Sequence, residues 1–418
     1  MQRPRATSLR AMPGPLVIVI PTRNRADIAQ ASLRSVLAAG VPGVRVIVSD
    51  NSSDPAEAEA LRAACEALGG AQVAYVRPPQ PLAMTAHWSW ALEQALDDPA
   101  VEHVSYLTDR MVLARGELEH VLAAIDAAPG LVVSYNHVHI NDLREPVRAV
   151  PIEWTGQLLA IDSRALILTA ARGGRHMATP RMLNAAVPRA VLEAVRARFG
   201  SVFASVAPDF AFAFRALATV DRIAYLDRPV LLEHSTRRSN GTSVSRGIAS
   251  RDGVDFLRLA GDAMYADAPA PQLHTISNAV FNEYGFVRAE APEALPPLLR
   301  RDYLARIAAD IAEIEDPALA ARTLEQLREL GWTARDERQA RARMIASLVR
   351  FYGPRPLTAI RRLRLAATGA SPWAPRMMPS IEAAIEDLQA HPVAPCGDGA
   401  LLRPLVDADA RIEVLGRP

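Results

Sequence analysis

From Leu16 onward, short β-branched runs alternate with longer amphipathic stretches, and this alternation constrains the fold more than any other feature of the chain. Runs at residues 16–20, 45–49, 72–76 and 104–107 have the length and composition of buried strands. Between them, residues 27–39, 55–68 and 84–96 place apolar side chains at helical spacing. Asp27 is expected to open the first helix; Asp54, ahead of Pro55 at the first helical position, opens the second. Parallel strands need long crossovers, and those crossovers cover the sheet. A β-α-β-α-β-α-β series therefore predicts an α/β fold with a mostly parallel sheet flanked by helices.

A helix over 115–127 and a strand over 131–135 continue the series, and 136–161 reads as mixed β structure and loops. Helices follow at 189–199 and 209–218, then strands at 222–226 and 229–232. Past about residue 251 the chain becomes rich in Ala, Leu, Arg and Glu at helical period, interrupted by proline. With 418 residues, two or three cores are expected rather than one.

The formal net charge is +1, so no overall field recruits nucleic acid, and none is expected as a partner. Every one of the 47 basic residues is arginine, a planar fork suited to phosphate and carboxylate. A compositional bias of the source accounts for this equally well. The two cysteines, Cys65 and Cys396, form neither a metal-ligand pattern nor a disulfide framework, which fits a reducing compartment. The run 16–20 is too short to span a bilayer, and the stretch before it lacks a signal-peptide core, so a cytoplasmic location is expected.

In an open parallel sheet, ligands bind beyond the carboxyl ends of the strands, where the strand order reverses. The first strand is followed by Pro21, Thr22, Arg23, Asn24 and Arg25, and the second by Asp50-Asn51-Ser52-Ser53-Asp54. Arg77 follows the third, and Thr108-Asp109-Arg110 the fourth. A G-x-G-x-x-G turn is missing after the first strand, which disfavours a dinucleotide cradle. With no lysine there is no P-loop either, and a nucleotidyltransferase, which normally needs a glycine-rich loop and a lysine, is disfavoured. What remains is a nucleotide site read by side chains.

These segments, IVIPTRN, VSDNSSD and YLTDRMVLARGEL, together with the later PRMLNAAVPRAVLEAVRARFG and APDFAFAFRALATVDRIAYLDRP, resemble the family 2 glycosyltransferases over about residues 16–243. The resemblance implies an inverting enzyme of the GT-A fold. Its domains would be an N-terminal arm (1–14), a GT-A domain (15–250, with a donor-nucleotide half at 15–135 and an acceptor half at 136–250) and a mainly α-helical C-terminal region (251–418). The donor would be a UDP-, GDP- or dTDP-linked sugar. The acceptor would be a glycan, a lipid-linked sugar or a protein, in bacterial-type surface polysaccharide or glycan biosynthesis.

Carried over by position, the resemblance implies that Pro21, Thr22, Arg23 and Asn24 shape the donor pocket and that Asp50 accepts from the imide of the base. Arg77 would lie near the base or phosphates, and Asp109 near the ribose and diphosphate. Helix capping is the competing account of Asp50. Family members use a divalent cation, manganese or magnesium, held by the last carboxylate of the fourth-strand motif. That position is Arg110 here, which cannot ligate a cation but offers its own positive fork to the diphosphate. Any metal that is retained would fall to Asp109 and the late His234, for which a purely structural role is the alternative.

Asp209 follows Pro208 at a helix start within an apolar frame, and the resemblance makes it the catalytic base; plain helix-start chemistry also explains it. Arg181 and Asn184 are candidates for the acceptor side, with a structural loop an equal reading; Trp88, at near-helical spacing, reads first as core packing and second as an acceptor-side platform. Residues 350–365 mix arginines with apolar side chains, so peripheral contact with the inner face of a membrane stands beside a solvated helix face, a homodimer or acceptor capture as their reading. A non-catalytic sugar-nucleotide or glycan-binding scaffold with a decayed metal site is the competing reading of the whole chain.

Overall fold

The computed structural model describes residues 16–248, 264–314, 316–352, 373–396 and 412–418, together with 253, 254, 256 and 258. The arm at 1–14, part of the expected boundary near 247–251, and residues 353–365 of the arginine-rich stretch lie outside the described residues.

The first half follows the alternating pattern. Strands β1 (Leu16–Thr22), β2 (Val44–Asp50), β3 (Val73–Val76) and β4 (His103–Tyr106) are separated by helices α1 (Ala26–Ala39), α2 (Pro55–Gly69) and α3 (Met84–Leu96). β1 and β2 are buried along their whole length, as strands covered on both faces must be. Ala26, Ala29, Leu33 and Val36 form the buried stripe of α1, and its last carbonyls are closed by Gly40 at φ 64°. Asp54 caps α2 by accepting from Ala56 N, ahead of Pro55. Asp27 does not cap α1. The cap position belongs to Arg25, which makes no side-chain capping bond, and Asp27 sits in the first turn.

The second half contains β5 (Met111–Leu113), α4 (Glu117–Ala127), β6 (Val133–Asn141), β7 (Val147–Val150), β8 (Leu158–Asp162), α5 (Ser163–Ala171), β9 (Ala185–Pro188), α6 (Arg189–Phe199), α7 (Pro208–Thr219) and β10 (Arg222–Glu233). The two strands expected at 222–226 and 229–232 form the single β10, which passes Pro229 through shifts of register between Leu226 and Leu231. A proline inside a strand is tolerated at such irregularities. A short helix, α8 (Asn240–Arg246), follows.

The main path of the sheet runs β8-β10-β6-β9-β4-β1-β2-β3, with the C-terminal strand Ile412–Gly416 added beside β8. β4-β1-β2-β3 is parallel, as is β10-β6, while β9 joins the two parts by antiparallel pairing with β4 and β6. The chain builds outward from β1 to β3 and then returns to place β4 on the other side of β1, so strand order reverses between β1 and β4.

Beyond residue 264 the described chain is largely helical: α9 (Ile276–Glu290), α10 (Arg300–Ile311), α11 (Pro317–Glu329), α12 (Ala334–Tyr352) and α13 (Ile381–Ala390). It also returns two strands to the sheet, β11 (Arg376–Met378) against β7 and β12 (Ile412–Gly416) against β8. α9 packs on α7 through Phe214 and Tyr284, whose ring centroids are 5.1 Å apart. Gly285 is required there, since a Cβ would lie 2.3 Å from the carbonyl oxygen of Asp267. Among the described residues no helix is long and apolar enough to cross a membrane.

Candidate functional site

The reversal between β1 and β4 places the ends of those strands side by side, and a hydrogen bond spans them. Thr22 Oγ1 donates to Asp109 Oδ2 at 2.8 Å. The other oxygen of Asp109 faces Arg25 Nη1 at 3.4 Å, and Arg25 Nη2 donates to the carbonyl of Arg238 and to Asn240 Oδ1. Asp109 is 4 % exposed, so its carboxylate is fixed by a hydroxyl and a guanidinium rather than by water.

Asn24 stands at φ 52°, a conformation asparagine tolerates better than most residues. Its side chain staples the β1 loop to the β2 loop: Oδ1 accepts from Ser53 N and Asp54 N, and Nδ2 donates to Ser53 Oγ. Asn51 pairs with both backbone groups of Leu82 at 2.8 Å, and Arg23 Nη1 reaches the same carbonyl. The loop before α3 is thereby held against the β2 end.

Asp50 has no exposed surface, and its two oxygens accept from Ser52 N at 2.8 Å and from the Tyr75 hydroxyl at 2.6 Å. Burial, with Asp50 as acceptor, pushes the Tyr75 phenol well above its usual range, so it remains a donor. Arg77 Nη2 donates to the Ser52 carbonyl at 2.5 Å. Behind them His87 bonds Ser49 Oγ at 2.8 Å, and burial lowers its pKa to about 4, leaving a neutral ring.

Arg110 Nη1 lies 3.4 Å from Glu233 Oε1. This contact follows from strand pairing, because Met111 is opposite Glu233 in the β5-β10 ladder and His234 N donates to the Arg110 carbonyl. On the other side β6 pairs with β10 and brings His137 Nε2 to 3.5 Å and His139 Nδ1 to 3.6 Å from Glu233 Oε2. Burial alone would raise the Glu233 carboxyl; the hydrogen bond with His139 and the charge of Arg110 hold it well below the carboxylate range. Burial pushes His137 down to about 4. His234 is lowered by burial and then by Arg110; its Nδ1 meets Ser235 Oγ at 2.9 Å, while the buried Nε2 has no partner among the described residues. Glu233, His137 and His139 were not among the residues the sequence singled out. The available signal was the alternation His137-Val138-His139, which puts both imidazoles on one strand face.

Asp209 is the second residue of α7, with 17 % of its side chain exposed. Burial raises its pKa, opposed by the charge of Arg181 and by N–H groups of its own helix start. Arg181 Nη1 is 3.9 Å from Asp209 Oδ2 and its guanidinium carbon 5.3 Å from the Phe210 ring centroid. Glu233 acts on Asp209, Arg181 acts on His137, and Asp109 and Glu233 both act on His234. Asp50 and Asp109 both act on His87. Asp209 therefore lies within electrostatic reach of Glu233 and Arg181, and Asp109 within electrostatic reach of His234 and His87.

Two acceptor candidates do not present themselves to a ligand. Trp88 is 7 % exposed, with Tyr106 and Phe203 rings at 5.1 and 5.4 Å, so it is a core residue without a free face. Asn184 is 1 % exposed and spends its amide on the carbonyls of Tyr135, Met177 and Thr179 and on Arg181 N. It orders the turn that carries Arg181. As for a cation, both Asp109 oxygens are engaged, and among the described residues no group of three or more His, Cys, Asp or Glu is arranged to hold a metal.

Residues 17–172 match the family model described as glycosyl transferase family 2. No curated protein matches the chain. Among solved structures, S. aureus TarS 1–349 is similar at 14 % identity over 78 % of this chain and 91 % of that chain, with a TM-score of 0.40. Its complex with UDP-GlcNAc gives 14 % identity, the same 78 % and 91 % coverage, and a TM-score of 0.42. Its complex with UDP gives 15 % identity, the same coverage and 0.43. Likenesses this distant leave substrate and mechanism to the chain's own residues. The stretch that matches the glycosyl transferase family 2 model, residues 17–172, includes the ends of β1, β2 and β4.

Proposed function

We propose that the protein transfers a sugar, with inversion, from a nucleoside diphosphate donor to a hydroxyl of a glycan, a lipid-linked sugar or a protein. The observation that carries this reading is the Thr22-Asp109-Arg25 cluster at the β1/β4 reversal, with Asp209 beside Arg181 at the start of α7.

In this reading the base lies against the β2 end near Asp50 and Arg77, and the diphosphate crosses the β1/β4 reversal beside Asp109. Asp209 accepts the proton of the acceptor hydroxyl as that oxygen bonds to the anomeric carbon. The bond from that carbon to the diphosphate oxygen breaks on the opposite face, and its electron pair leaves with the diphosphate. Arg110 stabilises that charge. Its 3.4 Å contact with Glu233 is long for a charge-assisted bond, so the fork can turn to phosphate oxygens without giving up a strong partner. With Arg110 in this role the departing diphosphate is neutralised by the chain's own side chain.

A non-catalytic sugar-nucleotide-binding scaffold is the second reading, favoured by Arg110 standing at a carboxylate position. Titration calorimetry with UDP, with manganese and with chelator, combined with UDP release from UDP-hexoses, separates the two. Chelator-insensitive binding together with turnover that falls about 100-fold or more in Arg110→Ala supports the proposal. Binding without turnover of any donor supports the scaffold, and binding that requires manganese removes the role given to Arg110.

A further inference from the structure

Glu283 of α9 is a fully buried carboxyl group beneath the segment that leads into α7. Its Oε1 accepts from Ser205 Oγ at 3.0 Å, Val206 N at 3.2 Å, Ala207 N at 3.0 Å and its neighbour Asn282 Nδ2 at 3.1 Å. Four donors converge on one oxygen. Oε2 is buried and has no partner among the described residues.

The segment needs such a holder. Ser205 stands at φ 56°, a conformation serine seldom adopts, and Ala207 at the cap of α7 supplies no side-chain capping bond. From the opposite side Thr85 Oγ1, in the first turn of α3, donates to the Ser205 carbonyl at 2.7 Å. Residues 205–207 are thus tied to the donor half through Thr85 and to the C-terminal helices through Glu283. Two residues further on is Asp209.

We infer that Glu283 is a positioning residue for Asp209, so that the helical C-terminal region sets the placement of the base in the domain before it. This rests on Asp209 being the base. Removing the acceptor strands two backbone N–H groups and releases the left-handed turn. The start of α7 then shifts, and displacements of about 1 Å are enough to cost two orders of magnitude in rate. Donor binding, made at the ends of β1, β2 and β4, is untouched.

A double-mutant cycle tests this, reading UDP release from the UDP-hexose turned over fastest and UDP affinity by calorimetry. Glu283→Leu is expected to lower kcat by about 10- to 100-fold with UDP affinity within about twofold. Glu283→Gln, which keeps an acceptor oxygen, returns most of the rate. In the Asp209→Asn background Glu283→Leu has no further effect, because there is no base left to misplace. The same fractional loss in both backgrounds, or a wild-type kcat in folded Glu283→Leu, overturns the inference. Should Glu283→Leu fail to fold, Thr85→Val releases the other tether; a kcat loss of about 3- to 10-fold, absent with Asp209→Asn, supports it and an unchanged kcat overturns it. Wild-type turnover by Asp209→Asn alone marks failure of the base assignment itself.

Discussion

Arg181 Nη1 stands 3.9 Å from Asp209 Oδ2 while the same guanidinium lies over the ring of Phe210, the next residue of α7. Burial raises the Asp209 carboxyl and Arg181 lowers it, so the pair sets the pH at which Asp209 becomes a competent acceptor of protons. The turn bearing Arg181 is ordered by Asn184, which ties this balance to a residue with no access to ligand.

Replacing Arg181 with methionine removes the charge and keeps apolar contact with Phe210. The Asp209 pKa then rises further, and a base with a higher pKa is protonated over more of the acid range. The acid limb of kcat against pH should move to higher pH, with a larger loss of turnover at pH 6 than at pH 8. A pH-rate profile of both proteins measures it; an unmoved acid limb separates Arg181 from the titration of Asp209.

Each Asp50 oxygen already accepts one bond, from Ser52 N and from Tyr75, so a base edge would join one of these donors on a remaining lone pair. Tyr75→Phe should cost about 1 kcal/mol of stability and leave UDP affinity within a few fold. Asp50→Ala, which strands both donors, should cost about 1–3 kcal/mol and weaken UDP binding by about tenfold or more. Urea unfolding and calorimetry check the two together. UDP affinity unaffected in Asp50→Ala would reduce Asp50 to a loop-capping group.

Much of this was legible in the chain. The β1–β4 series, the Asp54-Pro55 helix start, and the polar residues at three strand ends followed from local pattern, because period and capping chemistry act within a few residues. Asp27 was misjudged because cap preference is weak against the tertiary bonds of Arg25, whose side chain is engaged by Asp109, Arg238 and Asn240. Helical spacing already pointed Trp88 toward the core, while Asn184 carried no local sign of burial. Glu233 meets His137 and His139 only through the β6-β10 ladder, and Glu283 reaches Ala207 across 76 residues, distances at which no spacing rule operates.

Glu283 gives stability a pH dependence of its own. Burial raises its carboxyl from 4.5 to about 7, so the folded state prefers the protonated form. For an acid shifted upward, the favourable contribution is complete below the unfolded pKa and is lost as pH rises through the folded value. Wild-type stability should therefore fall, through this group, between about pH 4.5 and pH 7, by up to about 3 kcal/mol. Glu283→Gln should gain on the wild type over that interval. Urea unfolding at pH 5 and pH 8 tests it, and a constant difference between the two proteins contradicts it.

The most direct test of the account is UDP release from a UDP-hexose by Asp209→Asn, measured beside its affinity for UDP. Loss of turnover by about 100-fold or more with UDP binding intact is the predicted result, as expected when a general base is removed and the donor site is left alone. Turnover equal to the wild type would contradict the account, since the carboxylate at the start of α7 would then take no part in the transfer.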